Sequence, residues 1–240
     1  MKWDPVETLV AAVEALGFES LGTSTEGRAI RGRRFGGAGP ALLVMGGVHG
    51  DEPASVEALI ELAARAAARP STERPHEPRP GPPIWLLPAV NPDGVARGSK
   101  NSARDVDLNR NFPARSFSTS HAPGYFPGPA PLSEPETRVV ADLIAREPIA
   151  AVVAVHAPFA CVNYDGPAAA WAGAVAAACG WPARSDIGYP TPGSLGSWLG
   201  IDRGLPVLTL ELPPGPLAGF RGAAAAALDE SIRAAPVLNE

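Results

Sequence analysis

The sequence predicts an α/β fold, a single domain in which a central mixed β-sheet carries helices on both faces. Short continuous apolar runs at 41–45, 149–155 and 206–210 read as strands buried on both sides, since a half-exposed strand would alternate polar and apolar. Segments with helical periodicity separate them, as expected of a sheet covered by helices. Each run also leads to an ionisable residue, namely His49, His156 or Glu211. In open α/β sheets ligands bind beyond the carboxyl ends of the strands, so the three residues point to one site.

The elements follow in order. Asp4-Pro5-Val6-Glu7 predicts a helix start, with Asp as N-cap and Pro at the first helical position. Val6, Leu9, Val10, Val13 and Leu16 share one helical face, and Gly17 suits the stop. A strand is expected over 29–35, and another over 41–45, ending in Gly46-Gly47-Val48-His49. An Ala-rich helix is expected over 53–69. Residues 70–83, with six prolines, predict a surface loop or extended linker. A strand over 84–90 should break at Asn91-Pro92-Asp93-Gly94, a turn sequence. The stretch 95–132 shows little periodicity, and loops that long more often serve function than connection. Ser133-Glu134-Pro135-Glu136 reads as a capping box opening a helix to about Arg146. After the 149–155 strand, a helix is expected over 167–179, closed by Gly180, and a last one over about 220–234. No internal repeat is visible.

Bulk properties narrow the function classes. The 240 residues need no second domain and are enough to bury roughly 70–75% of the unfolded surface. Apolar content of 45% and charged content of 19% describe an ordinary globular chain. A net charge of −5 argues against nucleic acid or an anionic membrane as partner. The first 17 residues lack the apolar stretch of a signal peptide, and no apolar run reaches the length of a membrane helix. With only Cys161 and Cys179, the expected compartment is the reducing cytoplasm. No feature specifies an oligomeric state.

The chemistry is concentrated in a few positions. His49-Gly50-Asp51-Glu52 sets an imidazole and a carboxylate three positions apart just past a strand. Zinc takes nitrogen and oxygen ligands, and two His with one Glu is an established catalytic set that keeps a fourth position open. His156, also at a strand end, is the natural third ligand. Alone, His49 would read as a turn histidine and Glu52 as a first-turn acid facing the helix dipole; the combination favours the metal. Glu211 closes an apolar strand, where a carboxylate is costly unless it faces a site or a partner. In a zinc hydrolase such a carboxylate takes the proton from water; on its own it would read as an edge-strand Glu facing solvent. Asp107-Leu108-Asn109-Arg110-Asn111-Phe112 is a second dense polar run. The Arg110 fork suits capture of a carboxylate, as binding a free peptide C-terminus requires, although a loop arginine can equally form a structural salt bridge.

Four segments occur in an order that resembles the M14-type zinc carboxypeptidases. They are Gly46-Gly47-Val48-His49-Gly50-Asp51-Glu52, Asn91-Pro92-Asp93-Gly94, the run from Val106 to Pro113, and Leu210-Glu211-Leu212-Pro213-Pro214. Ser133 to Thr137, Phe159-Ala160-Cys161 and Gly188 to Trp198 narrow the resemblance to a compact cytoplasmic member. The resemblance runs from about Gly22 to Pro214. It implies one zinc ion on His49, Glu52 and His156, with Glu211 as general base. It implies that Asn109 and Arg110 hold the terminal carboxylate of a small peptide substrate, and that Tyr189 is a mobile active-site tyrosine. The implied reaction splits γ-D-glutamate from meso-diaminopimelate in recycled cell-wall peptides. One position departs: where the family carries an oxyanion-stabilising arginine, this chain has Lys100, with Arg97 and Arg104 as alternative cations. Lysine keeps the charge and loses the planar fork, and an oxyanion donor is worth about 3 kcal/mol. Asp105, where glycine is usual, is expected to bend the loop or to pair with a neighbouring cation.

Other features carry less. His76 and His121 are expected at the surface, Cys161 as a small buried residue, and Trp171 and Trp181 in the core or at its rim. Gly193-Ser194-Leu195-Gly196 lacks the spacing of a serine nucleophile elbow, and Gly36-Gly37-Ala38-Gly39 precedes a strand instead of a helix, unlike a dinucleotide fingerprint. Three rival readings share the motifs: a general metallocarboxypeptidase, a deacylase of N-acyl amino acids, and a catalytically silent zinc module that binds cell-wall peptides.

Overall fold

The computed structural model of the chain describes residues 5–68 and 81–236. The element order is α1 (Pro5–Ala15), β1 (Glu19–Thr23), β2 (Ala29–Phe35), β3 (Ala41–Met45), α2 (Pro53–Ala68), β4 (Ile84–Leu87), α3 (Pro92–Arg97), α4 (Pro135–Arg146), β5 (Ile149–His156), β6 (Cys161–Asp165), α5 (Ala169–Cys179), β7 (Ala183–Arg184), β8 (Val207–Glu211) and α6 (Arg221–Arg233). The eight strands form one sheet in the order β1-β2-β4-β3-β5-β8-β6-β7. Its centre is parallel, with β4, β3, β5 and β8 running together. The β1–β2, β2–β4 and β6–β8 pairs are antiparallel, which makes the sheet mixed.

Both faces of the sheet are buried, and this explains the continuous apolar runs. Leu42 and Val44 of β3 pack with α1, α2, α5 and α6 on one side. Ala41, Leu43 and Met45 pack on the other with Val140 and Leu143 of α4 and with Leu108, Phe112 and Trp198 from the long loops. Phe112 stacks on Trp198 at 5.6 Å between centroids, tying the loop of the Asp107–Phe112 run to the segment after Tyr189.

Several local expectations need correction. Asn91-Pro92-Asp93-Gly94 starts the short helix α3 instead of a turn, because the Asn91 side chain accepts a hydrogen bond from Gly94 N as an N-cap and Pro92 suits the first position. The expected capping box at Ser133–Glu136 does not form. Pro135 opens α4 one residue later, Glu134 takes the cap position without a side-chain bond, and buried Glu136 accepts from Thr25 N. The strand expected to reach Val90 stops at Leu87, ahead of Pro88. Strands β1, β6 and β7 were not legible in the sequence. The expectations for Asp4, His76 and most of the proline-rich segment lie outside the described residues. Cys161 is fully buried, and His121 is exposed.

Asp105 bends its loop as expected, with φ of 61°, and accepts from Asn101 Nδ2 at 3.0 Å. The loop after β3 approaches α3 so closely that a Cβ on Gly50 would fall 1.9 Å from the Gly94 carbonyl carbon. Gly50 N also donates to Ser99 O at 3.0 Å. Gly50→Ala is therefore expected to lower stability by about 1–3 kcal/mol or more, since backbone must move. Urea unfolding checks this, and an unchanged midpoint would contradict the contact.

Candidate active site

The parallel strands deliver the polar residues. His156 ends β5 and Glu211 ends β8, and the two are register partners on neighbouring strands. His49 follows β3 by the Gly46-Gly47-Val48 connection, and Glu52 immediately precedes α2. His49, His156 and Glu211 are all buried. Among the described residues, His49, Glu52 and His156 form a cluster whose ligand atoms lie within 4.8 Å of one another. Glu52 Oε1 is 2.8 Å from His49 Nδ1, and its Oε2 is 3.1 Å from His156 Nδ1.

Beside the cluster, Glu211 Oε2 is buried without a hydrogen-bond partner. Burial raises the Glu211 pKa against the pull of His156, and the nearby Glu52 charge adds to the rise. Burial also disfavours charge on Glu52, but His156 and His49 overcome it and bring Glu52 to about 2. Burial would lower His49, yet Asp107 and Glu52 lift it to about 9. Two imidazoles and a carboxylate converging here, with an unpartnered carboxylate next to them, match the kinds of donor zinc takes at catalytic sites.

Asp107 is the residue to which the sequence reading gave no role. It is fully buried, its Oδ1 lies 3.1 Å from His49 Nε2, and it also accepts from Asn109 N. Burial alone would raise its pKa, but the contact with His49 and nearby cations hold it well below the usual carboxylate range. A carboxylate on the far nitrogen orients a metal-ligating imidazole and increases its basicity. The signal was present in the Asp107–Phe112 run, but nothing in the spacing tells that it meets a histidine 58 residues away. Asp107→Asn is expected to weaken zinc binding by about 10–100-fold. Titration against a chelator measures it, and wild-type affinity would contradict the role.

One cavity of about 370 Å³ is lined by His49, Glu52, His156 and Glu211 together with Lys100, Asn109, Arg110 and Tyr189. Lys100 Nζ is 2.8 Å from Asp107 Oδ2 and 3.6 Å above the Tyr125 ring. The two alternative cations lie elsewhere: Arg97 pairs with Glu26, and Arg104 is largely exposed near Glu134. Arg110 is buried, donates to Asn109 O at 2.7 Å and lies over Tyr125. Asn109 Oδ1 accepts from Leu195 N, which leaves its amide hydrogens for a ligand. Tyr189 is 37% exposed at the mouth, with its ring near those of Tyr125 and Phe159.

Residues 12–169 match the model of the M14 peptidases, the zinc carboxypeptidases. The chain belongs to this family. A zinc carboxypeptidase is a hydrolase, and the donor set fits the metal its family is named for. Similarity extends over most of the molecule. The chain is 36% identical over 186 residues to murein peptide amidase A of Escherichia coli K12, covering 72% of this chain and 71% of that one. Identity to murein peptide amidase A of Vibrio campbellii is 32% over 188 residues, covering 72% and 69%. Among solved structures, murein-tripeptide amidase MpaA of Escherichia coli O157 superposes with a TM-score of 0.72 at 31% identity, covering 90% of this chain and 91% of that one. Thrombin-activatable fibrinolysis inhibitor gives a TM-score of 0.79 at 20% identity, covering 98% and 73%, a likeness of fold alone. Among the described residues, no helix is long and apolar enough to cross a membrane.

Proposed function

We propose that this zinc carboxypeptidase removes the C-terminal residue from a small peptide, splitting γ-D-glutamate from meso-diaminopimelate in murein peptides recycled in the cytoplasm. The observation that carries the reading is the meeting, in one cavity, of a three-ligand cluster, an unpartnered buried carboxylate and a buried arginine. The similarity to murein peptide amidases supports the substrate. The two free cysteines fit a reducing compartment.

His49, Glu52 and His156 would hold one zinc ion, and zinc at such a site lowers the pKa of water and polarises a carbonyl. Arg110 and the Asn109 amide hold the terminal carboxylate, which fixes the register of the scissile bond. Glu211 accepts the proton of the attacking water and passes it to the leaving amine, so the carboxylate ends as it began. Lys100, steadied by Asp107 and the Tyr125 ring, lends positive charge to the carbonyl oxygen as it becomes anionic. Tyr189 closes the mouth over the bound peptide.

The rival substrates use the same groups, so turnover separates them. L-Ala-γ-D-Glu-meso-diaminopimelate, an ordinary peptide with a free C-terminus and an N-acyl amino acid are to be compared by mass spectrometry. The reading expects kcat/KM to be highest for the first, with free diaminopimelate as product. Preference for either of the others would replace the substrate, and tight binding without any product would favour the silent module.

A further inference from the structure

Among the described residues, Lys100 and Arg110 are the two basic side chains that line the cavity, and both lie over one aromatic ring. Lys100 Nζ is 3.6 Å and Arg110 Cζ 5.3 Å from the centroid of Tyr125, which lines the same cavity. Lys100 also stands against the composition of the chain. Of the 20 Lys and Arg residues only Lys2 and Lys100 are lysines.

A lysine in such a place needs help from its surroundings. Its ammonium is a compact charge with three donors on a flexible stem, whereas the planar guanidinium of arginine is pre-organised. Left to itself, a partly exposed lysine buries its stem and turns its head to water. The Lys100 side chain is 27% exposed, so that course is open to it. Three groups meet the ammonium instead. Asp107 Oδ2 lies 2.8 Å from Nζ, Gly124 O accepts from it at 3.3 Å, and the Tyr125 ring covers it. Two of the three come from one dipeptide, and the backbone fixes that dipeptide in place. Gly124 has a φ of 80°, which glycine adopts without steric cost, and Phe126 O accepts from Asp107 N at 2.8 Å. The edge-on contact of Tyr125 with Tyr189, 6.2 Å between centroids, adds a further restraint on the ring.

We propose that Tyr125 is a positioning residue: its ring, with the Gly124 carbonyl, holds the Lys100 ammonium against Asp107 in the cavity and keeps it from turning to solvent. The placement stands on this geometry. Its effect on turnover rests on the reading above, in which Lys100 faces the carbonyl oxygen. A cation held over an aromatic face gains about 2- to 30-fold in occupancy of that position, the larger value where water is withdrawn.

The test reads placement and turnover separately. Protein made with isotopically labelled lysine gives signals from Lys2 and Lys100 alone, and Lys100→Met assigns them. In the zinc-loaded protein without substrate, the ring current is expected to shift the ε-methylene protons of Lys100 upfield in wild type and in Tyr125→Phe. In Tyr125→Leu they should return to the position of free lysine. A wild-type Lys100 at the free-lysine position, or a shift that survives Tyr125→Leu, overturns the proposal. If Tyr125→Leu does not fold, the wild-type and Tyr125→Phe spectra decide. Turnover is read in kcat, since the contact with Arg110 bears on KM. Tyr125→Leu is expected to lower kcat by about 2- to 30-fold, Tyr125→Phe to keep it, and the same leucine change made on Lys100→Met to cost less. An equal cost in both backgrounds overturns the positioning role. A ring-dependent Lys100 shift without cleavage of the tripeptide would sink the hydrolytic reading and leave the placement standing. Cleavage with Lys100 at the free-lysine position would do the reverse.

Discussion

Glu211→Gln is expected to lower kcat by about 10²–10⁴-fold while zinc still binds, because the amide keeps the shape of the side chain and loses its capacity to take a proton. In the proposed mechanism Glu211 is the acceptor, and its geometry fits that part. It ends β8 in register with His156, it is only 6% exposed, and its Oε2 has no hydrogen-bond partner. A buried, unpartnered carboxylate oxygen beside the His49–Glu52–His156 cluster fits the part of proton acceptor in that mechanism. Single-turnover kinetics on a metal-saturated variant isolates the chemical step. Near-normal turnover with full zinc occupancy would remove Glu211 from the mechanism and leave its burial unexplained.

Arg110→Ala should lower kcat/KM by about 30- to 5,000-fold, since breaking a buried charge pair costs about 2–5 kcal/mol. Arg110 is 6% exposed, and the Asn109 carbonyl and the Tyr125 ring restrain its guanidinium. Its guanidinium is thus restrained before any ligand arrives. Most of the loss is expected in KM for substrates ending in a free carboxylate. A substrate with an amidated C-terminus, already deprived of the contact, should lose much less. If both substrates suffered equally, Arg110 would be holding the loop together instead of the ligand.

The centre of the fold was legible because physics writes it locally. A strand buried on both faces must be apolar throughout, so 41–45 and 149–155 stood out, as did 206–210, which lies one residue later at 207–211. The polar residues at the ends of those strands were legible for the same reason. The edge strands were not. β1 reads Glu19-Ser20-Leu21-Gly22-Thr23 and lies mostly exposed, and Ala183–Arg184 is too short to leave a pattern. Arg110 and Lys100 could be chosen as candidates from motif order, but their burial and partners come from long loops without periodicity. Asp107 shows the limit most clearly. It is one acid among many in the chain, and it acquires meaning only through a neighbour distant in sequence, His49.

The central claim is that His49, Glu52 and His156 make one zinc site, and an anomalous difference map at the zinc absorption edge tests it most directly. Crystals of the zinc-loaded protein should give a single strong peak bounded by His49, Glu52 and His156, lost in His156→Ala. A peak elsewhere, or none at these residues under saturating zinc, would contradict the account.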